Sequence, residues 1–276
     1  GLKDGVARTR YAARRTTQGR RRMTDEIEWM RLTAEELRAR AAADALVIIP
    51  VASLEQHGPH LATGVDIVLG GNVALATARR LAAAGQPVVV TPPVWSGLAE
   101  HHMAFGGTVT LDPAAFLGVL RGIVRSAARC GFRRVMLLNG HGGNAEAIAV
   151  AAAEFAVEFG IRVAGGTYWH VVPEAIAPLL ERQPGLMHAC EAETSMIMHL
   201  EPGMVRRERL AEAHGPSSTR VEGQPPGLAM RRSFRDLTPS GVVGDGRVAT
   251  AEKGEALLAA ISARMAEVLL NPKLWA

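Results

Sequence analysis

The chain has 276 residues, 31 Lys/Arg against 27 Asp/Glu, a formal charge of +4 and a sequence pI near 9.6. With 48% hydrophobic and 21% charged residues it can bury a large core, which excludes wholesale disorder. Two cysteines cannot build a disulfide framework, which fits a reducing, cytoplasmic setting, and no apolar run reaches the roughly 18 residues of a membrane-spanning helix.

The pI invites a nucleic-acid reading until the charge is located. Residues 1–22 hold eight Lys/Arg (Lys3, Arg8, Arg10, Arg14, Arg15, Arg20, Arg21 and Arg22) against Asp4 alone. The remaining 254 residues therefore carry a net −3. The tail lacks apolar periodicity and reads as disordered. A basic arm, a targeting peptide and a translated leader ahead of Met23 compete for it. The ordinary-looking start MTDEIEWM favours the leader, and residues 23–276 read as one domain that binds neither nucleic acid nor membrane.

The body alternates strands and helices. Thr33-Ala-Glu-Glu36 is a capping box opening a helix to about Ala43. Ala45–Ala52 is a continuous apolar run, as expected of a strand buried on both faces. A polar loop over 53–65 precedes a helix over Ile67–Ala84. Val88–Thr91 is the next strand, and a long loop covers 93–107. Asp112-Pro113 starts a helix running to Cys130, with Pro at the first helical position. Val135–Leu138 is a strand, Asn139–Gly143 a turn, Ala145–Phe159 a helix and Arg162–Thr167 a strand. Helices are expected over Ala189–Leu200 and Thr250–Leu270, with poorly periodic loops over 202–248. This alternation predicts a three-layer α/β/α sandwich around a mostly parallel sheet, with ligands beyond the C-terminal ends of its strands.

The chemistry-bearing residues fall at those ends. Glu55, His57 and Asp66 follow the first strand, and His141 follows a later one in Asn139-Gly-His-Gly-Gly-Asn144. Side chains two apart in extended chain point the same way, so Glu55 and His57 can aim at one point. Carboxylate plus imidazole in one cleft suits Zn, Mn or Fe, and a bridging carboxylate makes two ions feasible. The glycines of the turn admit a rival reading as a phosphate cradle, but the spacing matches neither a Walker loop nor GxGxxG. In His188-Ala-Cys-Glu-Ala-Glu-Thr-Ser195, Glu191 is the candidate ligand and His188 the candidate proton shuttle, while Glu193 or Ser195 suits helix capping. His101 and His102 are adjacent, so in extended chain at most one faces the site.

At these residues the chain resembles the creatininase (creatinine amidohydrolase) family. The matching stretches are SLEQHGPHL with Asp66, EHHMAFGGT, LLNGHGGN, HACEAETS, and Gly244-Asp-Gly with Ala249-Thr-Ala-Glu-Lys-Gly254, in the family's order. The resemblance implies a three-layer α/β/α fold, a homo-oligomer (commonly a hexamer), and two divalent ions per subunit hydrolysing an amide-type C–N bond. Carried over position by position, it makes Glu55, His57, Asp66 and His141 ligands, with Asp66 bridging. Creatininase itself has Tyr and Glu after the metal-binding His, the Glu being a ligand, whereas this chain has Gly142 and Gly143. Glu191 is the expected replacement. Creatininase also carries a Trp before the His matching His188, which is missing from Gln183–Met187 here.

The resulting expectation is a metal-dependent amidohydrolase acting on a small amide or cyclic amide. His188 shuttles a proton, glycine N–H groups of 140–143 hold the oxyanion, and His101, His102, Gly142, Gly143 and Trp169 contact substrate. Tyr168 and Trp95 are further candidate walls. The rivals are a metallopeptidase trimming a precursor peptide and a non-catalytic oligomeric scaffold with a degenerate site.

Overall fold

The computed structural model describes residues 25–225, 228 and 230–276; the basic stretch 1–22 lies outside them. Four strands form one parallel sheet: β1 (Leu46–Val51), β2 (Val88–Val90), β3 (Arg134–Asn139) and β4 (Arg162–Thr167), in the order β2-β1-β3-β4. The helices are α1 (Ala34–Ala42), α2 (Val65–Ala83), α3 (Pro113–Arg129), α4 (Ala145–Phe159), the one-turn α5 (Tyr168–Val171), α6 (Glu191–Leu200), the one-turn α7 (Phe234–Leu237) and α8 (Ala251–Leu270).

Local chemistry starts these helices where the sequence predicts. Thr33 and Glu36 complete the capping box of α1, and the Asp112 carboxylate accepts the Ala115 N–H ahead of Pro113. Thr250 caps α8 by accepting the Lys253 N–H, and Gly160 closes α4 in the left-handed region at φ 60°.

Every residue of β1 is buried because the sheet is covered on both faces. Leu46 and Ile48 pack with α2, α6 and α8, whereas Val47, Ile49 and Val51 pack with α3 and α4, the period-two alternation of a strand between two layers. The predicted three-layer α/β/α architecture is therefore the observed one. β4 departs from the buried pattern: it is an edge strand with Arg162 and Gly165 exposed.

Two boundaries matter for the site. α2 begins at Val65 rather than Ile67, which puts Asp66 in its first turn instead of the preceding loop. α6 begins at Glu191 rather than Ala189, after Ala189 takes a left-handed φ of 52°. The stretch 202–248 carries short 3-10 turns and α7 among its loops. Among the described residues, no helix is long and apolar enough to cross a membrane.

The connections from β1 to β2 and from β3 to β4 run in opposite directions across the sheet, so the topological switch point lies between β1 and β3. Val51, the last residue of β1, sits opposite Asn139, the last of β3. The segments carrying Glu55 and His141 thus leave the sheet side by side, where open α/β sheets bind ligands.

Candidate metal centre

Five side chains converge beyond this switch point. Three groups offer ligand atoms within 4.8 Å of one another: Glu55, His57 and the half-buried His188, and two triads that are buried throughout, Glu55–Asp66–His141 and His57–Asp66–Glu193. The two triads share Asp66, whose Oδ1 lies 3.1 Å from His57 Nε2 and whose Oδ2 lies 3.1 Å from His141 Nδ1. Glu55 Oε2 is 3.0 Å from His141 Nδ1, and Glu193 Oε2 is 3.9 Å from His57 Nε2. All five residues are buried. Glu55 Oε2, Asp66 Oδ2 and His57 Nε2 have no hydrogen-bond partner, although buried polar groups are normally paired. Unpartnered oxygens and imidazole nitrogens facing one another fit divalent cations of the Zn, Mn or Fe type, with Asp66 placed to serve both positions.

The electrostatics point the same way. Burial opposes a charged His57 and a charged His141, but the carboxylates beside them prevail. Asp66, with Glu193 and Glu55, lifts His57 to about 9, and Glu55 with Asp66 lifts His141 to about 10. Burial would raise Asp66, yet His57 and His141 hold its carboxyl well below the usual range. Burial pushes Glu193 up against the pull of His57, helped by Asp66 and Glu55. In the metal-free protein, protons therefore stand where cations would.

The structure does not bring Glu191 to this centre, which corrects its expected role as the replacement ligand. Its carboxylate accepts the backbone N–H groups of Glu181 and Arg182 and pairs with Lys253 from α8. Glu193 supplies the carboxylate instead; its Oε2 also accepts the Ala189 N–H at 2.6 Å, one residue ahead of the N-cap Cys190, and Ser195 Oγ accepts the Thr250 N–H, so neither caps α6 as expected. At Gly143 a Cβ would collide with His141 Nε2 and Leu98 O, so a carboxylate side chain does not fit there on this backbone.

A shell of hydrogen bonds holds the cluster. His102 Nε2 lies 3.2 Å from Glu55 Oε1, and its Nδ1 accepts from Gln56 Nε2 at 2.9 Å. Gln56 Nε2 also donates to Gly241 O at 3.1 Å and lies 3.1 Å from His188 Nε2. His188 Nε2 is also 2.9 Å from Gln56 O, which only accepts, so a neutral ring that donates there presents Nδ1, 3.6 Å from Glu55 Oε1, to the cluster. Burial, with the charge of His57, holds His188 well below its ordinary value; burial, with the neighbouring histidines, does the same to His102. Asn139 and Asn144 brace the turn: Asn139 Nδ2 donates to His141 O and Thr167 Oγ1, and Asn144 Nδ2 to Ala52 O.

Above the cluster opens a cavity of about 390 Å³. Its walls include Gly142, Gly143, Trp169, His188 and both His101 and His102. Both histidines face it because Glu100–Phe105 is a 3-10 turn rather than extended chain, which corrects the expectation of one. Three further expectations fail. Gly140 N–H is used by Val51 O and cannot hold an oxyanion, and Trp95 is 52% exposed, away from the cavity. Tyr168 is buried rather than on the wall. Sequence reasoning missed Phe234, whose ring lies 4.1 Å from that of His102 and 4.9 Å from that of His188, and the supporting Gln56. No sequence periodicity marks Phe234, whereas Gln56 stands between two ligands and was open to notice.

This fold and centre define a metal-site α/β hydrolase class, and the comparisons with known proteins agree. The family model described as Creatininase, creatinine amidohydrolase, matches residues 30–269. The chain belongs to the creatininase family and is a hydrolase of that family. It is 35% identical over 216 residues to the mycofactocin precursor peptide peptidase of Mycolicibacterium smegmatis, covering 78% of this chain and 80% of that protein. It is 31% identical over 245 residues to the creatinine amidohydrolase of Pseudomonas putida, covering 82% and 90%. A crystal structure of creatinine amidohydrolase (creatininase) superposes with TM-score 0.76 at 28% identity, over 89% of this chain and 97% of that one. Solved creatininases include a Mn form and a Zn-Zn form.

Proposed function

We propose that the protein hydrolyses an amide-type C–N bond of a small molecule, at two divalent ions held by Glu55, His57, Asp66, His141 and Glu193. The observation that carries this reading is the pair of buried triads sharing Asp66 at the floor of a cavity. When bound, such ions supply a water of lowered pKa and polarise the scissile carbonyl.

The chain's own residues supply the rest. Glu55 is steadied by His102, which Gln56 locks in one tautomer. His188 lines the cavity, where an imidazole is placed to pass a proton to a leaving nitrogen. Trp169 and Phe234 provide apolar wall that limits water around the bond being cut.

A second reading, trimming of a peptide, is favoured by the 35% identity to a peptide peptidase. The completeness of the five-residue cluster argues against a degenerate scaffold. By the family resemblance we also take the protein to be a homo-oligomer, a hexamer by expectation, and from its sparse cysteines to work in the reducing cytoplasm. The test is metal content and hydrolysis of cyclic amides, formamides and short peptides by wild type and His141→Ala. Two ions per chain and one hydrolysed class are expected for wild type, and loss of both in the variant. Intact metal content and hydrolysis in His141→Ala would sink the reading.

A further inference from the structure

The cavity is lined by charge of both signs, with the carboxylates buried and the guanidinium-bearing residues exposed. Its floor holds Glu55, Asp66 and Glu193, while another part of its lining holds Arg220, Arg231 and Arg232. These arginines come from the poorly periodic stretch 202–248, ahead of α7, which brings Phe234 against His102 and His188.

The three guanidinium groups are not equivalent. Arg231 is engaged with Glu146 at 3.3 Å. Among the described residues, neither Arg220 nor Arg232 has a carboxylate within ion-pair distance. The three floor carboxylates would be more than neutralised by two divalent ions, so in the loaded protein the cavity carries net positive charge. A concave site of one sign concentrates ligands of the other. A guanidinium offers a planar fork of donors matched to carboxylate or phosphate oxygens. A neutral cyclic amide would leave both forks unused.

We propose that Arg220 and Arg232 form an oxyanion-binding subsite at the mouth of the cavity, so that the substrate is an amide bearing a carboxylate or phosphate group. The proposal rests on the hydrolase reading for the word substrate, but the subsite itself does not. Ser217, Ser218 and Thr219 line the same cavity and add hydroxyl donors beside the guanidinium groups.

The test uses the full-length, metal-loaded protein and three matched formamides: N-formylglycine, its neutral N-methylamide, and the corresponding phosphonate. Affinity is read by titration calorimetry and turnover by release of formate. Wild type is expected to bind at least one anionic ligand more tightly than the neutral one, on the order of ten- to a hundredfold, the range for charge-assisted hydrogen bonds. The better of the two anions identifies the group as carboxylate or phosphate. Arg220→Gln/Arg232→Gln should erase that preference while leaving metal content, melting temperature and affinity for the neutral amide unchanged. Both arginines are exposed, so the fold should tolerate the change.

Equal affinity for all three ligands in wild type would overturn the subsite. So would a preference that survives in the double variant, because the metal ions alone would then be reading the charge. An arginine-dependent preference with no turnover of any amide would keep the subsite and count against the hydrolase reading.

Discussion

Glu191 and Glu193 lie two positions apart on α6, and the structure assigns them opposite fates. Glu191 is fully buried, accepts the Glu181 and Arg182 N–H groups at 3.0–3.1 Å, and pairs with Lys253. Glu191→Gln replaces one accepting oxygen by an NH₂ that faces donors. Breaking a buried pair costs about 3–5 kcal/mol. The lower end applies here because Lys253 keeps Glu181, at 2.7 Å, and Val248 O. At roughly 2–4 °C per kcal/mol for a domain of this size, the melting temperature should fall by about 6–12 °C. Bound metal per chain should stay as in wild type. Glu193→Gln should do the reverse. Its carboxylate sits among Asp66 and Glu55, and burial already favours the neutral acid that glutamine imitates. The metal-free variant should melt at or above wild type. Metal affinity should drop by more than the 10–100-fold typical of losing a residue that merely supports a ligand. Metal analysis after dialysis, with thermal melts in the presence and absence of chelator, reads both variants. If Glu191→Gln lost the ions while Glu193→Gln kept them, the assignment of the centre would be wrong.

Three further predictions rest on the same geometry. His57 and His141 have folded values of about 9 and 10 against 6.5 when free, so metal binding at pH 7 should expel about two protons, a third coming from Glu193 where it is protonated. Calorimetry in buffers of different ionisation enthalpy would count them, and a release near zero would contradict the protonated metal-free cluster. Because those values are raised, the stability they contribute is complete below about pH 6.5 and is lost as pH climbs through 9 to 10. The chelated protein should therefore melt progressively lower over that window, and the loaded protein much less so. Gly143→Ala should cost about 1–3 kcal/mol and weaken metal binding, since its Cβ meets Leu98 O and His141 Nε2. Unchanged melting and metal content would show that this turn can relax.

The parts of the site that were legible in the sequence depend on short-range facts. Glu55 and His57 share a strand end, and His141 follows a second apolar strand. Parallel strands in one sheet deliver both to the same edge, because Val51 and Asn139 fall in register. The motif Thr250-Ala-Glu-Lys-Gly254 was legible as a pattern, but its purpose was not. Thr250 caps α8, Lys253 grips Glu191, and at Gly254 a Cβ would collide with Ser195 and Met196 backbone, so α8 can lie against α6 only with glycine there. That packing is also what turned the choice between two glutamates. Residues two apart on a helix point roughly 200° apart, so only one of Glu191 and Glu193 can face the sheet edge. Which one does so depends on where α6 starts and on a lysine 62 positions from Glu191. Neither is a property of the local stretch. The arginines of the cavity were invisible for a related reason. They lie in chain without periodicity, so only the folded path brings them to the cavity. The overall charge misled in the same way: the pI near 9.6 comes from residues 1–22, whereas the positive charge bearing on the site is a few guanidinium groups within a net acidic body. The sign of a whole chain is thus a poor guide to its ligand, whereas the charge lining one cavity is the better one, and here it is what the proposed anionic subsite rests on.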